Sequence, residues 1–277
     1  MGSIVFAVAT VTVIGAVCAV MLVAASKVMA VKTDEREEAV QALLPGMNCG
    51  ACGFAGCDGY AAALMDGAGT NLCLPGGTVI SEKISETLGV GYEDVASMIA
   101  VVHCRGECTV RLDKMEYAGI QSCAAAKQLF SGPHACIYGC IGYGDCVSAC
   151  PNGAISIVNG IVKTDSSACF GCGLCEKICP NMVITVQGAA IQTLVRCSNL
   201  EKGAQVRKLC ERGCIACRKC ERECPKGAIT VADNLAVIDY GRCDGCGHCV
   251  EICPVGCLQK INTARSSPVA TATATLP

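Results

Sequence analysis

Cysteines recur along this chain at a spacing that suits an iron-sulfur cubane. Cys214, Cys217, Cys220 and Cys224-Pro225 form one run, Cys243, Cys246, Cys249 and Cys253-Pro254 a second, and Cys169, Cys172, Cys175 and Cys179-Pro180 a third. Thiolates are soft ligands suited to iron and zinc. Three of them at C-x2-C-x2-C on a tight loop can reach three irons of one cluster, leaving the last iron to a cysteine from elsewhere. A fourth run is stretched, with Cys136, Cys140, Cys146 and Cys150-Pro151 spaced x3, x5 and x3. Zinc sites use similar pairs, but they usually combine two separated C-x2-C units rather than three evenly spaced cysteines and a Cys-Pro. The pattern therefore favours clusters.

Where two such runs face each other, the cysteine before the proline ligates the other run's cluster. That rule predicts Cys214, Cys217, Cys220 and Cys253 on one cluster and Cys243, Cys246, Cys249 and Cys224 on its neighbour. In the upstream copy it predicts Cys136, Cys140, Cys146 and Cys179 on one, and Cys169, Cys172, Cys175 and Cys150 on the other. A separate group, Cys49, Cys52, Cys57 and Cys73, lies between Pro45 and Gly77 with glycines interleaved. Such glycines let the backbone curl around a compact object and aim N–H groups at sulfur. These groups predict at least five 4Fe-4S clusters. A sixth is expected from Cys104, Cys123, Cys197 and Cys210, because Val-Val-His-Cys104 and Leu-Val-Arg-Cys197 are both apolar strands ending on cysteine, each followed by a second cysteine. Cys108 is the substitute if one of the four is misassigned. Cys257 reads as structural and Cys18 as an apolar filler. His103, His134 and His248 each sit beside a cysteine run with no partner at metal spacing, so packing or cluster tuning is expected of them.

The elements that must position these cysteines follow from the intervening sequence. With 27 cysteines, 31 glycines and no tryptophan in 277 residues, the interior must be organised around something other than a conventional core. Residues 131–185 and 209–260 read as two copies of one repeat. In each, a hairpin separates the cysteine runs, turning at Asn159-Gly160 in the first copy and Asp233-Asn234 in the second. Ile80, Ile84 and Leu88 recur at helical spacing, and Met98 to Val102 reads as a strand. Glu37 to Leu44 reads as a short helix.

Ile4 to Ala25 is uncharged and apolar, long enough to span a bilayer, with Lys27, Lys32 and Arg36 following it. A cleaved signal peptide would have a basic start and a shorter apolar run. The fold class expected is α+β: a single transmembrane helix, a small four-cysteine module, and two bacterial-type two-cluster domains with short hairpins and helices. The expected boundaries are 1–28 for the anchor, 29–44 for a linker helix, 45–78 for the four-cysteine module and 79–130 for a connecting α/β segment. They continue with 131–185 for the first two-cluster domain, 186–208 for a connecting strand and loop, 209–260 for the second domain and 261–277 for a disordered tail. The positive-inside rule places everything after the anchor in the cytoplasm, where thiols stay reduced and metal is favoured over disulfides.

The net charge of −2 and the lack of a basic stripe with aromatic platforms argue against nucleic acid. No G-x-G-x-x-G follows a strand, so a nicotinamide or flavin site is not visible and no catalytic residue is assigned. A redox sensor or cluster carrier would require an output domain, and none is legible. A stand-alone ferredoxin-dependent reductase would form NADH by itself.

Anchor, glycine-rich module and repeated cysteine runs, in this order, resemble the B subunit of the Rnf complex, the ion-translocating ferredoxin:NAD+ oxidoreductase. The most telling stretches are Cys49-Gly-Ala-Cys-Gly-Phe-Ala-Gly-Cys57, Val-Val-His-Cys104 with Tyr117-Ala-Gly-Ile, and Gly139-Cys-Ile-Gly-Tyr-Gly-Asp-Cys146. The resemblance implies a bacterial inner-membrane electron-relay subunit. Its implied partners are reduced ferredoxin and the other membrane and peripheral subunits of the complex, with ion transport carried out elsewhere. Shorter family members carry one cluster pair where this chain carries two.

Overall fold

The computed structural model describes residues 2–28 and 34–261. Residues 29–33, placed above in the linker helix, and the tail from 262, expected to be disordered, lie outside the described residues. Helix α1 (Gly2–Val28) carries the apolar run, and its Val8–Ser26 stretch is long and apolar enough to cross a membrane with none of it buried in the chain.

Helix α2 (Glu35–Leu43) starts two residues earlier than Glu37. Asp34 caps it by accepting the Arg36 N–H, and three glutamates in the first turn complement the helix dipole. Helices α3 (Cys57–Met65) and α4 (Gly77–Leu88) complete the N-terminal module, and α4 stops where Gly89 turns left-handed at φ 68°. Val40, Tyr60, Leu64 and Ile84 fill the space between these helices, with Cys73 on the same core.

All of the described sheet structure is two-stranded and antiparallel. Strand β1 (Met98–Val102) pairs with β4 (Ile184–Gly188), and β2 (Ile155–Val158) with β3 (Ile161–Thr164) across Asn159-Gly160. The second copy repeats the scheme. There β5 (Thr193–Val195) pairs with β8 (Leu258–Lys260), and β6 (Ile229–Ala232) with β7 (Leu235–Ile238). Each two-cluster domain thus takes its first strand from the stretch expected to be a connector. β1 lies within 79–130 and β5 within 186–208, while β4 runs past 185. The reason is hydrogen bonding: the closing strand of each domain needs a partner, and only the upstream strand supplies one.

Alternation along β1 splits its side chains between two cores. Ala100 and Val102 enter the core of the first domain, whereas Ile99 and Val101 pack with Ile191 and Leu194 against Tyr240 of the second. This seam joins the two domains. Short helices carry cysteines beyond it: α5 (Cys123–Gln128), α6 (Asp145–Ser148), α7 (Leu174–Ile178), α9 (Lys219–Arg222) and α10 (His248–Ile252), while α8 (Gly203–Leu209) ends on Cys210. Helix α6 packs on α7 and α9 on α10, which crosses the cysteine runs within each domain.

Candidate iron-sulfur centres

The loops that present the cysteines share one backbone device. Starting from the first cysteine of a run, the second and fourth residues after it are left-handed. These are Gly171 and Gly173 (φ 68° and 77°), Gly245 and Gly247 (72° and 80°), Gly142 and Gly144 (88° and 85°), and Ala216 and Arg218 (53° and 58°). Glycine adopts this conformation freely, whereas Ala216 and Arg218 carry strain. The result is a loop curled around a central volume, with N–H groups turned toward sulfur, as in Gly171 N to Cys169 Sγ at 3.4 Å.

Six groups of four cysteines come together among the described residues. In site A, Cys49, Cys52, Cys57 and Cys73 line a cavity with Leu44, Met47 and Tyr60. Asn48 holds the loop by accepting the Cys57 N–H at 2.8 Å. In site B, Cys150, Cys169, Cys172 and Cys175 line one cavity. Site E gathers Cys214, Cys217, Cys220 and Cys253. In site F, Cys249 lies within electrostatic reach of Cys243, Cys246 and Cys224. Each of these four sites gathers a quartet grouped above from spacing.

Sites C and D differ from the sequence grouping by one exchange. Site C is lined by Cys123, Cys140, Cys146 and Cys179, not by Cys136. Site D is lined by Cys104, Cys136, Cys197 and Cys210, not by Cys123, and exposed Cys108 takes no part. Cys123 reaches site C because α5 is anchored there. Asp145, next to Cys146, accepts the Cys123 N–H at 2.9 Å, the Ala124 N–H at 3.0 Å and the Ser122 hydroxyl at 3.0 Å. Burial alone would raise this carboxyl, but those donors hold it below the ordinary range. Cys136 is drawn the other way. Residues 133–135 lie against the strip at Leu112, whose own N–H bonds to Leu209 O beside Cys210.

A sequence signal for this exchange existed. Cys140, Cys146 and Cys150 sit at the offsets of Cys214, Cys220 and Cys224, with Tyr143 where Cys217 would stand. The run is a regular one lacking its second cysteine, which Cys123 replaces from outside. Cys136 then precedes Cys140 by the interval that separates Cys210 from Cys214, making Cys136 and Cys210 equivalent positions of the repeat.

Site D lies where the strand ends of β1 and β5 meet. His103 Nδ1 donates to Val195 O at 2.9 Å and its Nε2 accepts from the Thr185 hydroxyl at 2.8 Å. Burial lowers the His103 pKa and keeps the ring neutral. Ser198 donates to His103 O at 2.9 Å, and Arg196 Nη2 to Cys104 O at 3.0 Å. Asn199, 2% exposed, donates from its backbone to Cys197 Sγ at 3.4 Å and from its side chain to Cys136 Sγ at 3.3 Å. Arg196 lines the same cavity, and its buried Nε has no hydrogen-bond partner. This buried cation with an orphaned donor stands beside four sulfurs whose negative charge as cluster ligands it would offset.

Burial raises the pKa of seven of the site thiols most strongly. It pushes Cys73, Cys146, Cys210, Cys220 and Cys249 up to about 11 and Cys140 and Cys175 to about 12. Neighbouring sulfurs add to the rise. Four thiolates gathered in a low-dielectric pocket therefore require positive charge between them, which iron provides. No group of three or more His, Cys, Asp or Glu among the described residues converges on a single-ion position. Four-sulfur donor sets with no single-ion convergence fit a cubane better than a lone zinc ion.

The sites also form a line. Cys172 of site B lies within electrostatic reach of Cys49 of site A, and Cys175 of B within reach of Cys146 of C. Cys140 N of C donates to Cys104 Sγ of D at 3.3 Å. Between D and E stands Cys257, packed in one core with Cys197 and Cys214; its N–H donates to Cys253 Sγ of E at 3.3 Å and its carbonyl accepts from Arg196 N, beside Cys197, at 2.8 Å.

Comparison with known proteins accords with this chemistry. Residues 44–75 match a family model described as a putative Fe-S cluster, and residues 135–183 and 213–257 match a 4Fe-4S dicluster domain. Over 266 residues the chain is 40% identical to the B subunit of the proton-translocating ferredoxin:NAD(+) oxidoreductase complex of Clostridium ljungdahlii, covering 94% of each chain. It is 37% identical to the Na(+)-translocating counterpart of Acetobacterium woodii, over 89% of this chain and 74% of that one. It is 40% identical to the B subunit of the ion-translocating oxidoreductase complex of Methanosarcina acetivorans, over 87% and 92%. The chain belongs to the B-subunit family of the Rnf-type ion-translocating ferredoxin:NAD+ oxidoreductases. As a Rnf B-type subunit it is a 4Fe-4S protein of an oxidoreductase complex, and its role there is electron relay.

Proposed function

We propose that this Rnf B-type subunit accepts electrons from reduced ferredoxin and conducts them along six four-cysteine sites, in the order F, E, D, C, B, A, to the other subunits of its complex. The observation that carries this reading is the succession of neighbouring sites, with cysteines of A and B and of B and C within electrostatic reach, a hydrogen bond from C to D, and the Cys257 backbone bridging D and E, continued to F by the packed pair α9 and α10. Each site would hold one 4Fe-4S cluster, which takes up and releases one electron at a time. The chain's own residues do no bond chemistry. They fix the spacing of the sites, exclude water from the buried sulfurs and direct N–H groups at them.

Entry at the C-terminal end is supported by exposure. Cys217 of E and Cys246 of F are exposed, with Arg218, Arg222 and Lys226 exposed beside them to meet an acidic carrier. Exit at site A is supported by its proximity in sequence to α1. We assign α1 as a single-pass anchor in the bacterial cytoplasmic membrane, with all six sites on the cytoplasmic side, because the positive residues follow the apolar run.

Iron and sulfide counting with EPR tests the ligand sets. The intact chain should hold about 24 irons, against about 20 for five clusters. Cys123→Ser and Cys136→Ser should each remove one cluster signal, and the two signals lost should differ. Loss of the same signal in both variants would refute the assignment of sites C and D. The purified chain should also oxidise reduced ferredoxin without forming NADH, and NADH formation would overturn the relay role.

A further inference from the structure

Resting on the six-site reading, we propose that Arg196 and Asn199 hold the reduction potential of site D above those of its neighbours C and E, so that an electron entering the relay settles first at its centre. Asn199 is 2% exposed and spans two ligands of the site that lie far apart in sequence. Its backbone N–H donates to Cys197 Sγ at 3.4 Å and its side-chain Nδ2 to Cys136 Sγ at 3.3 Å. The amide orientation is fixed, because Oδ1 accepts the Glu201 N–H at 2.7 Å and leaves Nδ2 to face the sulfur. Cys104, a third ligand, accepts the Cys140 N–H at 3.3 Å. Backbone donors reach other sites too, as Cys257 N reaches Cys253 Sγ of E at 3.3 Å. What site D adds to them is a side-chain amide and a cation.

Arg196 supplies the charge. Its Nη1 donates to Gln259 Oε1 and its Nη2 to Cys104 O, each at 3.0 Å and each a neutral acceptor, while its buried Nε has no hydrogen-bond partner. Glu107, a carboxylate within its electrostatic reach, is paired instead with Lys163 at 2.8 Å. The cation therefore faces the site uncompensated. Half-buried Arg105 lines the cavity as well and adds charge of the same sign, whereas the charge of Arg111 is matched by Asp113 at 3.3 Å. The side chains lining site C include no cation, and Asp145 adds a negative charge there. Arg218 and Lys219 line site E, but Arg218 is exposed and 3.8 Å from Glu221, so solvent and its partner screen it. Reduction adds one negative charge to a site, and a nearby cation or an N–H donor at its sulfurs favours that state. No bond is made or broken as one electron leaves E, which is oxidised, and enters D, which is reduced. Site D thus stores one electron between the entry and exit arms of the relay.

The test uses the intact cluster-loaded chain. Cys197→Ser, Cys214→Ser and Cys123→Ser identify the EPR signals of D, E and C. As the poised potential is lowered stepwise, the parent chain should show the D signal before those of C and E. Asn199→Ala should keep the full iron content, while the reduced-to-oxidised ratio of the D signal at a fixed potential falls about fivefold, the weight of one modest hydrogen bond. Arg196→Gln removes the charge and should lower the same ratio by about tenfold or more, as a unit charge does at a partly buried site. Arg196→Lys keeps the charge and should restore most of it. A D signal that appears with or after those of C and E, with Cys197→Ser still losing its cluster, would refute the proposal and leave the six sites standing. Unchanged D ratios in both Asn199→Ala and Arg196→Gln would do the same. Loss of about four irons in both variants would reduce the two residues to structural supports and overturn it equally. Full iron retention in Cys197→Ser would refute site D itself, and with it the six-site reading.

Discussion

Replacing Asp145 tests how site C acquires its fourth cysteine. The Asp145 carboxylate accepts from Cys123 N, Ala124 N and Ser122 Oγ, so it caps α5 and ties it to the loop bearing Cys146. Loss of a helix-capping oxygen costs about 1 kcal/mol, and a hydrogen bond to a charged acceptor contributes about 1.5 to 3. The carboxylate is partly exposed, so the low end applies, and the two N–H bonds together give about 2 kcal/mol for Asp145→Ala. Because its pKa is depressed, that contribution is complete at neutral pH and disappears only as pH falls through the folded-state value. If α5 must lift before the cluster is lost, about 2 kcal/mol corresponds to about a 30-fold faster release of four irons to a chelator. Chelation followed by absorbance, with EPR identifying the lost signal, measures this directly. Asp145→Asn keeps an acceptor and should lie between the two rates. The reasoning fails if Asp145→Ala releases iron at the parent rate, or if the labile signal is the one that Cys136→Ser removes.

Two further outcomes follow from the backbone and the thiols. Ala216→Gly should relieve the left-handed strain in the site E loop and stabilise the chain by about 0.5 to 1 kcal/mol, read as a higher urea midpoint; a lower midpoint would contradict the shared loop geometry. The metal-free chain should lose stability as pH rises from about 9 toward about 12, because its buried thiols have folded pKa values raised to about 11 and 12, whereas the loaded chain should not. Urea unfolding of both forms at about pH 8 and about pH 10.5 separates the cases, and parallel losses would argue against burial as the cause.

Local features of this molecule were legible because they depend on short-range physics. Asn159-Gly160 turns β2 into β3 since both residues accept positive φ, and Ile80, Ile84 and Leu88 mark one face of α4. The glycine alternation in the cysteine loops is likewise written in the chain. Strand β1 was recognisable from its apolar run, but its partner β4 lies more than eighty residues away, so its place in the first two-cluster domain was not.

What the sequence determined by itself is the chemistry: cysteines at cubane spacing in a repeated pattern, behind an apolar N-terminal helix. Tertiary structure decided how those cysteines are shared. Sites within one loop follow from covalent spacing, but site D draws Cys104, Cys136, Cys197 and Cys210 from both halves, and site C imports Cys123 through a carboxylate beside Cys146. Spacing along a chain limits only which sulfurs can meet within one turn. Where distant strand ends are clasped together, as His103 and Arg196 clasp β1 to β5, packing and hydrogen bonding choose the remaining partners.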